Sequence, residues 1–287
     1  MLEWYATAAR DLPWRRPSAT PWGVFVSEVM LQQTPVVRVE PVWREWMARW
    51  PAPPDLAAAA PGDAVRAWGR LGYPRRALRL HSAAVAMTER YGGAVPSTEA
   101  ELLTLPGVGT YTAAAVATFA FGERTTVVDT NVRRVLARTV SGEEYAAPSP
   151  TRAELTVAAG LVPGDPADAR TWSVAVMELG ALVCSARSPR CSSCPVADLC
   201  AWRLAGRPAY PGPARKGQAW EGTDRQLRGA LLAVLRASDD PVPRAALEAL
   251  SDNEIQRERC LDSLVADGLV EPLPRGRYRL PASREAS

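Results

Sequence analysis

The chain has 287 residues, 47% of them hydrophobic and 23% charged, with a formal net charge of +3. That balance excludes a disordered chain, which would have fewer apolar residues and a larger net charge. No apolar run approaches the roughly 20 residues that cross a bilayer. The first ten residues carry Glu3 and have no apolar core of the signal-peptide kind, so the sequence predicts a cytoplasmic protein.

In chain order, residues 1–140 read as amphipathic helices punctuated by Pro and Gly, over 24–33, 36–50, 63–71, 75–91 and 98–103. Apolar residues recur at helical spacing, and no period-2 run appears. Residues 150–183 continue in the same style, with a clear helix over 171–183. The expected class is all-α. Residues 206–222 hold Pro208, Pro211 and Pro213 among Gly and Ala and read as a linker. Beyond it lie three short helical patterns, over 223–236, 243–250 and 253–267. Two short runs, 268–273 and 277–280, then flank Pro274-Arg275-Gly276, a β-hairpin signal. Three helices and a hairpin over 223–287 predict a small winged-helix-like module, with a generic helical cap as the alternative. The basic residues are nearly all Arg, Lys216 being the single lysine, and the chain is rich in Ala and Pro. This looks like codon bias, so the Arg preference says little about phosphate recognition.

Four of the five cysteines, Cys184, Cys191, Cys194 and Cys200, form C-x6-C-x2-C-x5-C, while Cys260 stands alone in a helical pattern as a small apolar residue. Clustered thiols in a long chain without an export signal suggest metal ligation rather than bridges. Zinc and iron clusters both accept four thiolates, but one CxxC with two wider gaps is unlike a zinc ribbon. Closing an all-α domain, the pattern resembles the [4Fe–4S] loop of the endonuclease III/MutY superfamily of DNA glycosylases. The resemblance implies a cluster over 184–200 that folds a loop whose Arg187 and Arg190 touch DNA phosphates.

Leu105-Pro106-Gly107-Val108-Gly109 lies between two helical patterns; its glycines permit a tight turn and a close approach of phosphate to backbone N–H groups. Followed by Asp129 ahead of a new helix, it resembles the helix-hairpin-helix (about 98–118) and the catalytic aspartate of the same superfamily. A carboxylate in that position is also a natural helix cap. A glycosylase that doubles as a lyase needs an amine nucleophile. Where endonuclease III has its lysine, this chain has Tyr111, which argues against a Lys-based lyase. Removing adenine by hydrolysis needs an acid for the leaving base and a carboxylate for the cationic sugar, as in glycoside hydrolysis. Glu28, in Ser27-Glu28-Val29-Met30-Leu31-Gln32-Gln33-Thr34, sits among apolar neighbours, where burial would favour the protonated acid.

That segment closely resembles MutY-type adenine DNA glycosylases, and the likeness extends over residues ~1–220, with Leu12-Pro13-Trp14-Arg15 and Leu71-Gly72-Tyr73 in matching order. It implies that Glu28 protonates adenine and assists water, Asp129 stabilises the sugar carbon, Tyr111 bonds within the carboxylate pair and Asn131 orients Asp129. It further implies Gln33 and Tyr73 as wedges in the duplex, Gly107 and Gly109 at the backbone, and Arg15 near the base pocket. The partner implied is double-stranded DNA carrying adenine opposite 8-oxoguanine or guanine, met by a monomer in the nucleoid. Two features depart from the family: Gly72-Tyr73-Pro74 replaces Gly-Tyr-Tyr, and residues 223–287 are too short for the Nudix-like domain that reads 8-oxoguanine. Arg275, Arg277 and Arg279 on the hairpin are candidate phosphate contacts. His81 has no second histidine and reads as structural. Two other functions fit the same motifs less well: a glycosylase for T or U opposite G, and a non-catalytic Fe–S winged-helix regulator.

Overall fold

The computed structural model describes residues 1–212 and 220–283. Lys216 and Pro213 lie outside the described residues. The helices, in chain order, are α1 (Leu2–Ala8), α2 (Pro21–Leu31), α3 (Val36–Arg49), α4 (Pro53–Ala58), α5 (Pro61–Trp68), α6 (Arg75–Tyr91), α7 (Glu99–Leu102) and α8 (Thr110–Phe121). They continue with α9 (Thr130–Leu136), α10 (Arg152–Leu161), α11 (Pro166–Leu182), α12 (Ala201–Leu204) and α13 (Asp224–Arg236). The chain then gives β1 (Val242–Pro243), α14 (Arg244–Glu248), α15 (Glu254–Ala266), β2 (Glu271–Leu273) and β3 (Arg277–Arg279). Their ends follow from local chemistry. Pro74 starts α6, and Gly92, at φ 60, closes it in the left-handed conformation that glycine adopts without steric cost. Thr151 and Glu154 form a reciprocal capping box on α10. Asp165 accepts two backbone N–H groups at the start of α11, with Pro166 in the first turn.

The described residues pack as two compact units interleaved along the chain. The first takes residues 1–24, 97–104 and the chain from 109 to the linker. Its core joins α9 and α11 through Val132, Val135, Leu136, Val176, Leu179 and Val183, with Trp4 of α1 packed alongside. Gly180 of α11 faces Asn131 so closely that a Cβ there would stand 2.6 Å from the Asn131 Cβ and 3.0 Å from its carbonyl oxygen. The glycine therefore sets how near α9 lies to α11.

The second unit takes residues 25–96, 105–108 and the chain after the linker. Helices α3 to α6 bury Trp46, Leu56, Trp68, Leu80 and Met87, with Trp46 and Trp68 edge-to-face at 5.7 Å. His81 is buried, and its Nε2 lies 2.9 Å from the Ala59 carbonyl oxygen, the structural role expected of it. Residues 223–283 form a winged helix: α13, β1, α14, α15 and the β2–β3 wing, with sheet order β1-β3-β2, all antiparallel. Of its three strands the sequence predicts the two of the hairpin; β1 is two residues long, too short for a periodic signal. Pro243 and Pro272 are tolerated because β1 and β2 are the sheet's edges. Leu227, Leu231, Leu235, Leu247, Leu261 and Leu264 fill the core of this module. It is fixed to α5 and α6. The Gly62 N–H donates to the Pro281 carbonyl at 2.7 Å, Arg66 donates to the carbonyls of Arg236 and Ser238, and Arg75 pairs with Asp267 at 3.2 Å.

Candidate functional site

The four cysteines of the predicted cluster loop line one hollow together with Arg138, Leu179, Val183 and Trp202. Short 3-10 turns at Cys191–Ser193 and Ala197–Leu199 fold the loop, and α12 closes it. The Cys194 thiol is pushed up by burial and by the thiols of Cys184, Cys200 and Cys191 around it. Four thiols lining one hollow suit a four-iron cluster, in which each sulfur would hold one iron. Arg138, almost fully buried, donates to the Cys184 sulfur at 3.3 Å and to the carbonyls of Ser185 and Ala186, so a cation already faces the site of an anionic cluster. Of the predicted phosphate contacts on this loop, Arg187 and Arg190 are both exposed, and Arg190 also donates to the Leu182 carbonyl.

Asp129 stands at the start of α9 and accepts the Val132 N–H at 2.7 Å through one oxygen. Its other oxygen accepts the Asn131 side-chain amide at 2.8 Å. Asn131 in turn accepts from Arg134 at 2.7 Å, and Arg134 also donates to the carbonyls of Gly180 and Cys184. One chain of hydrogen bonds thus runs from the backbone of the first cluster cysteine to the carboxylate. Burial raises the Asp129 carboxyl above its ordinary value, while the bonds from Val132 and Asn131 and the charge of Arg134 pull against that rise. Tyr111 lies in the first turn of α8, half-buried against Ala114, Ala115 and Val127.

Arg15, expected near a base pocket, is held by Glu178 of α11 at 2.5 Å, and Arg10 grips the same carboxylate with bonds of 2.6 to 3.2 Å. Glu178 is fully buried. Burial alone would raise its carboxyl, but the two guanidiniums hold it below the usual range. The arrangement fixes the Leu12-Pro13-Trp14-Arg15 segment to α11.

In the second unit, Glu28 is buried on α2, at 5% exposure, as its apolar neighbours predicted. Gln33 and Tyr73 are both exposed and both adopt left-handed backbone, at φ 56 and 47. Gly107 takes φ +74, and a Cβ there would stand 2.8 to 2.9 Å from the Arg79 side chain of α6, so the hairpin needs glycine twice over. Gly109 differs from expectation: it precedes α8 in extended backbone at φ -104, where any residue fits. Four site-building residues escaped the sequence reading: Arg76, Arg134, Arg138 and Glu178. Only Arg134 left a trace, three residues beyond Asn131 and so on the same helix face.

Comparison with known proteins gives the context. Residues 26–159 match the family model described as HhH-GPD superfamily base excision DNA repair protein, and residues 184–200 match the iron-sulfur binding domain of endonuclease III. An adenine DNA glycosylase of Mycolicibacterium smegmatis is 55% identical over 99% of this chain and 96% of its own length. Among solved structures, a thermostable thymine-DNA glycosylase is 29% identical, with a TM-score of 0.64 over 71% of this chain and 93% of that one. An endonuclease III in a non-covalent DNA complex is 25% identical, with a TM-score of 0.58 over 72% of this chain and 95% of that one.

Proposed function

The chain belongs to the helix-hairpin-helix superfamily of base-excision DNA repair proteins, and from that premise we propose that it is an adenine DNA glycosylase. Its partner is DNA. The observation that carries the reading is the pairing of near-full-length similarity to an adenine glycosylase with a buried Glu28 in Ser27-Glu28-Val29-Met30-Leu31-Gln32-Gln33-Thr34. The reaction is hydrolysis of the N-glycosidic bond. Glu28 donates a proton to the departing adenine, turning a poor anionic leaving group into a neutral one. Asp129 stabilises positive charge at the sugar carbon, and its two hydrogen bonds favour the ionised form against burial and fix its direction. Water takes the place of the base, assisted by Glu28. Tyr111 bonds within this pair of carboxylates, and Asn131 aims Asp129. With Tyr111 at the hairpin, no lysine amine is supplied there for strand cleavage.

A base in a duplex must leave the stack before it can react. Gln33 and Tyr73 serve as the wedge, and Gly107 and Gly109 present backbone to phosphate. Arg15 borders the base pocket, and Arg187 and Arg190 lie at the phosphates beside the cluster. Cys184, Cys191, Cys194 and Cys200 hold the [4Fe–4S] cluster, which supplies folding energy to the loop. The catalytic domain spans residues 1–205, the linker 206–222 and the winged module 223–287. The substrate is adenine opposite 8-oxoguanine or guanine.

The likeness to a thymine-DNA glycosylase structure keeps excision of thymine opposite guanine as a second reading. Single-turnover base release from four duplexes decides between them: A opposite 8-oxoguanine, A opposite G, A opposite T, and T opposite G. Adenine release from the first two alone is expected, and Glu28→Gln should reduce it by orders of magnitude while duplex binding survives. Preferential thymine release, or undiminished activity in Glu28→Gln, would overturn the assignment.

A further inference from the structure

Two exposed residues of the second unit, Gln33 and Tyr73, share an uncommon feature. Each has positive φ without being glycine. Such backbone is sparsely populated and persists only where its surroundings over-determine it. Tyr73 also precedes Pro74, which narrows its choices further. Both conformations therefore need a support, and both have the same one.

Arg76 of α6 is buried, at 5% exposure. Its Nη1 donates to the Val29 carbonyl at 3.0 Å, the Met30 carbonyl at 3.1 Å and the Gln32 carbonyl at 2.6 Å. Its Nη2 donates to the Thr34 hydroxyl at 2.9 Å and the Gly72 carbonyl at 3.1 Å. The acceptors bracket Gln33 on both sides and include the residue before Tyr73. The guanidinium also lies 5.2 Å from the Trp68 ring and 5.4 Å from the Tyr73 ring, within cation–π range. The carbonyls of Val29 and Met30 belong to the last turn of α2, where no intrahelical donor remains and positive charge is favoured. Thr34 adds a direct tie, since its hydroxyl reaches the carbonyls of Gln32 and Leu71, both at 3.3 Å. Burial lowers the Arg76 pKa to about 10, which still leaves it charged at neutral pH.

We propose that Arg76 is the positioning residue of mispair opening: one planar guanidinium locks the Gln33 loop and the Tyr73 loop to each other, so that two wedges enter the duplex as a single rigid tool. This rests on the wedge role assigned to Gln33 and Tyr73 above. A lysine could not substitute. Its single ammonium presents three donors from one point, whereas here two nitrogens reach acceptors from two loops. The residue touches no reacting atom; it acts through the strained loops it holds.

The test uses the full-length protein with Arg76→Lys and, as a milder variant that preserves side-chain volume, Thr34→Val. Two duplexes are compared, each with 2-aminopurine beside the target adenine to report unstacking. One carries adenine opposite 8-oxoguanine; the other carries adenine in an unpaired loop, where opening is already done. Arg76→Lys should reduce the unstacking signal and base release on the mispair by about tenfold, the scale of one or two charge-assisted bonds, and leave release from the unpaired loop nearly unchanged. Thr34→Val should show the same selectivity more weakly. In a Gln33→Ala/Tyr73→Ala background, Arg76→Lys should have no further effect on opening. Equal losses on both duplexes, or full additivity with the wedge substitutions, would overturn the proposal in favour of a merely structural arginine. So would a wild-type protein that gives no unstacking signal. A wild type that opens the mispair yet releases no adenine would defeat the adenine reading and leave the clamp standing, because the fluorescence needs no bond cleavage.

Discussion

Asp129 combines two roles that substitution can separate. As a cap it satisfies the Val132 N–H, a role that asparagine fills about as well as aspartate. In the proposed reaction it is also an anion beside a cationic sugar, a role with no neutral equivalent. Asp129→Asn should therefore leave the melting temperature nearly unchanged while single-turnover base release falls by orders of magnitude, whereas Asp129→Ala should lose about 1 kcal/mol of stability as well. An unchanged rate in Asp129→Asn would reduce the residue to its capping role. The pH dependence carries a second signature. Burial raises the Asp129 carboxyl, and the hydrogen bond from Asn131 opposes the rise. The proposed reaction uses the ionised form, so the rate should fall as pH drops through that raised value. Asn131→Ala removes the opposing bond, lets the carboxyl rise further, and should move the acid limb of the rate profile to higher pH. For stability the sign is reversed: a carboxyl that is raised on folding favours the folded state as pH falls through its folded-state value. An acid limb that stays put in Asn131→Ala would show that another group sets it.

The pairing of α9 with α11 depends on a single missing side chain. A Cβ on Gly180 would meet both the Asn131 side chain and its backbone, and helix backbone cannot step aside as the end of a flexible side chain can. Gly180→Ala should destabilise the protein by about 1–3 kcal/mol through overpacking and should lower base release beyond what the stability loss explains, since Asn131 moves with α9. Thermal unfolding together with single-turnover rates checks this; normal kinetics after a large loss of stability would contradict the second half. The sequence revealed α6 to the residue, because Pro74 and Gly92 bracket it, and all four cluster cysteines, because their spacing is itself the signal. It singles out Asp129 and Glu28 as candidates because carboxylates next to a hairpin motif or within an apolar stretch are conspicuous. It could not reveal what Arg76 and Arg134 do. Their acceptors are mostly backbone carbonyls, in several cases more than forty residues away, and a carbonyl leaves no mark on the residue type. Short elements such as α1, α4 and β1 were equally silent, being too brief to show a period.

The winged module is part of a packing unit rather than a tethered addition, and its attachment makes it mechanically relevant to the proposed wedge residues of that unit. Asp267 pairs with Arg75, and Gly268 approaches Leu78, on the same helix whose Arg76 organises the wedge loops and whose Arg79 lies under Gly107. Helix α15 of this module is poorly suited to nucleic acid: its exposed residues include Glu254, Ile255 and Asp262, and its Arg259 is taken up by Asp224. Charge of that sign opposes entry into a groove lined by phosphates. On the wing, Arg279 is paired with Glu271, leaving Arg275 and Arg277 as its exposed cations. Docking itself turns on Gly62, whose added Cβ would fall 2.5 Å from the Pro281 carbonyl oxygen and 2.9 Å from the Leu280 Cβ. Gly62→Ala should therefore displace the segment after β3 and disturb α5 and α6 from outside. The expected outcome is a drop of about 1–3 kcal/mol in stability, as overpacking gives, with weaker binding to a mispaired duplex and slower base release from it, because α6 carries the arginine that holds the wedge loops. Thermal denaturation, equilibrium binding and single-turnover release under saturating enzyme measure the three quantities separately. Unaltered affinity in the face of clear destabilisation would mean that the module stabilises its unit without influencing the wedge loops.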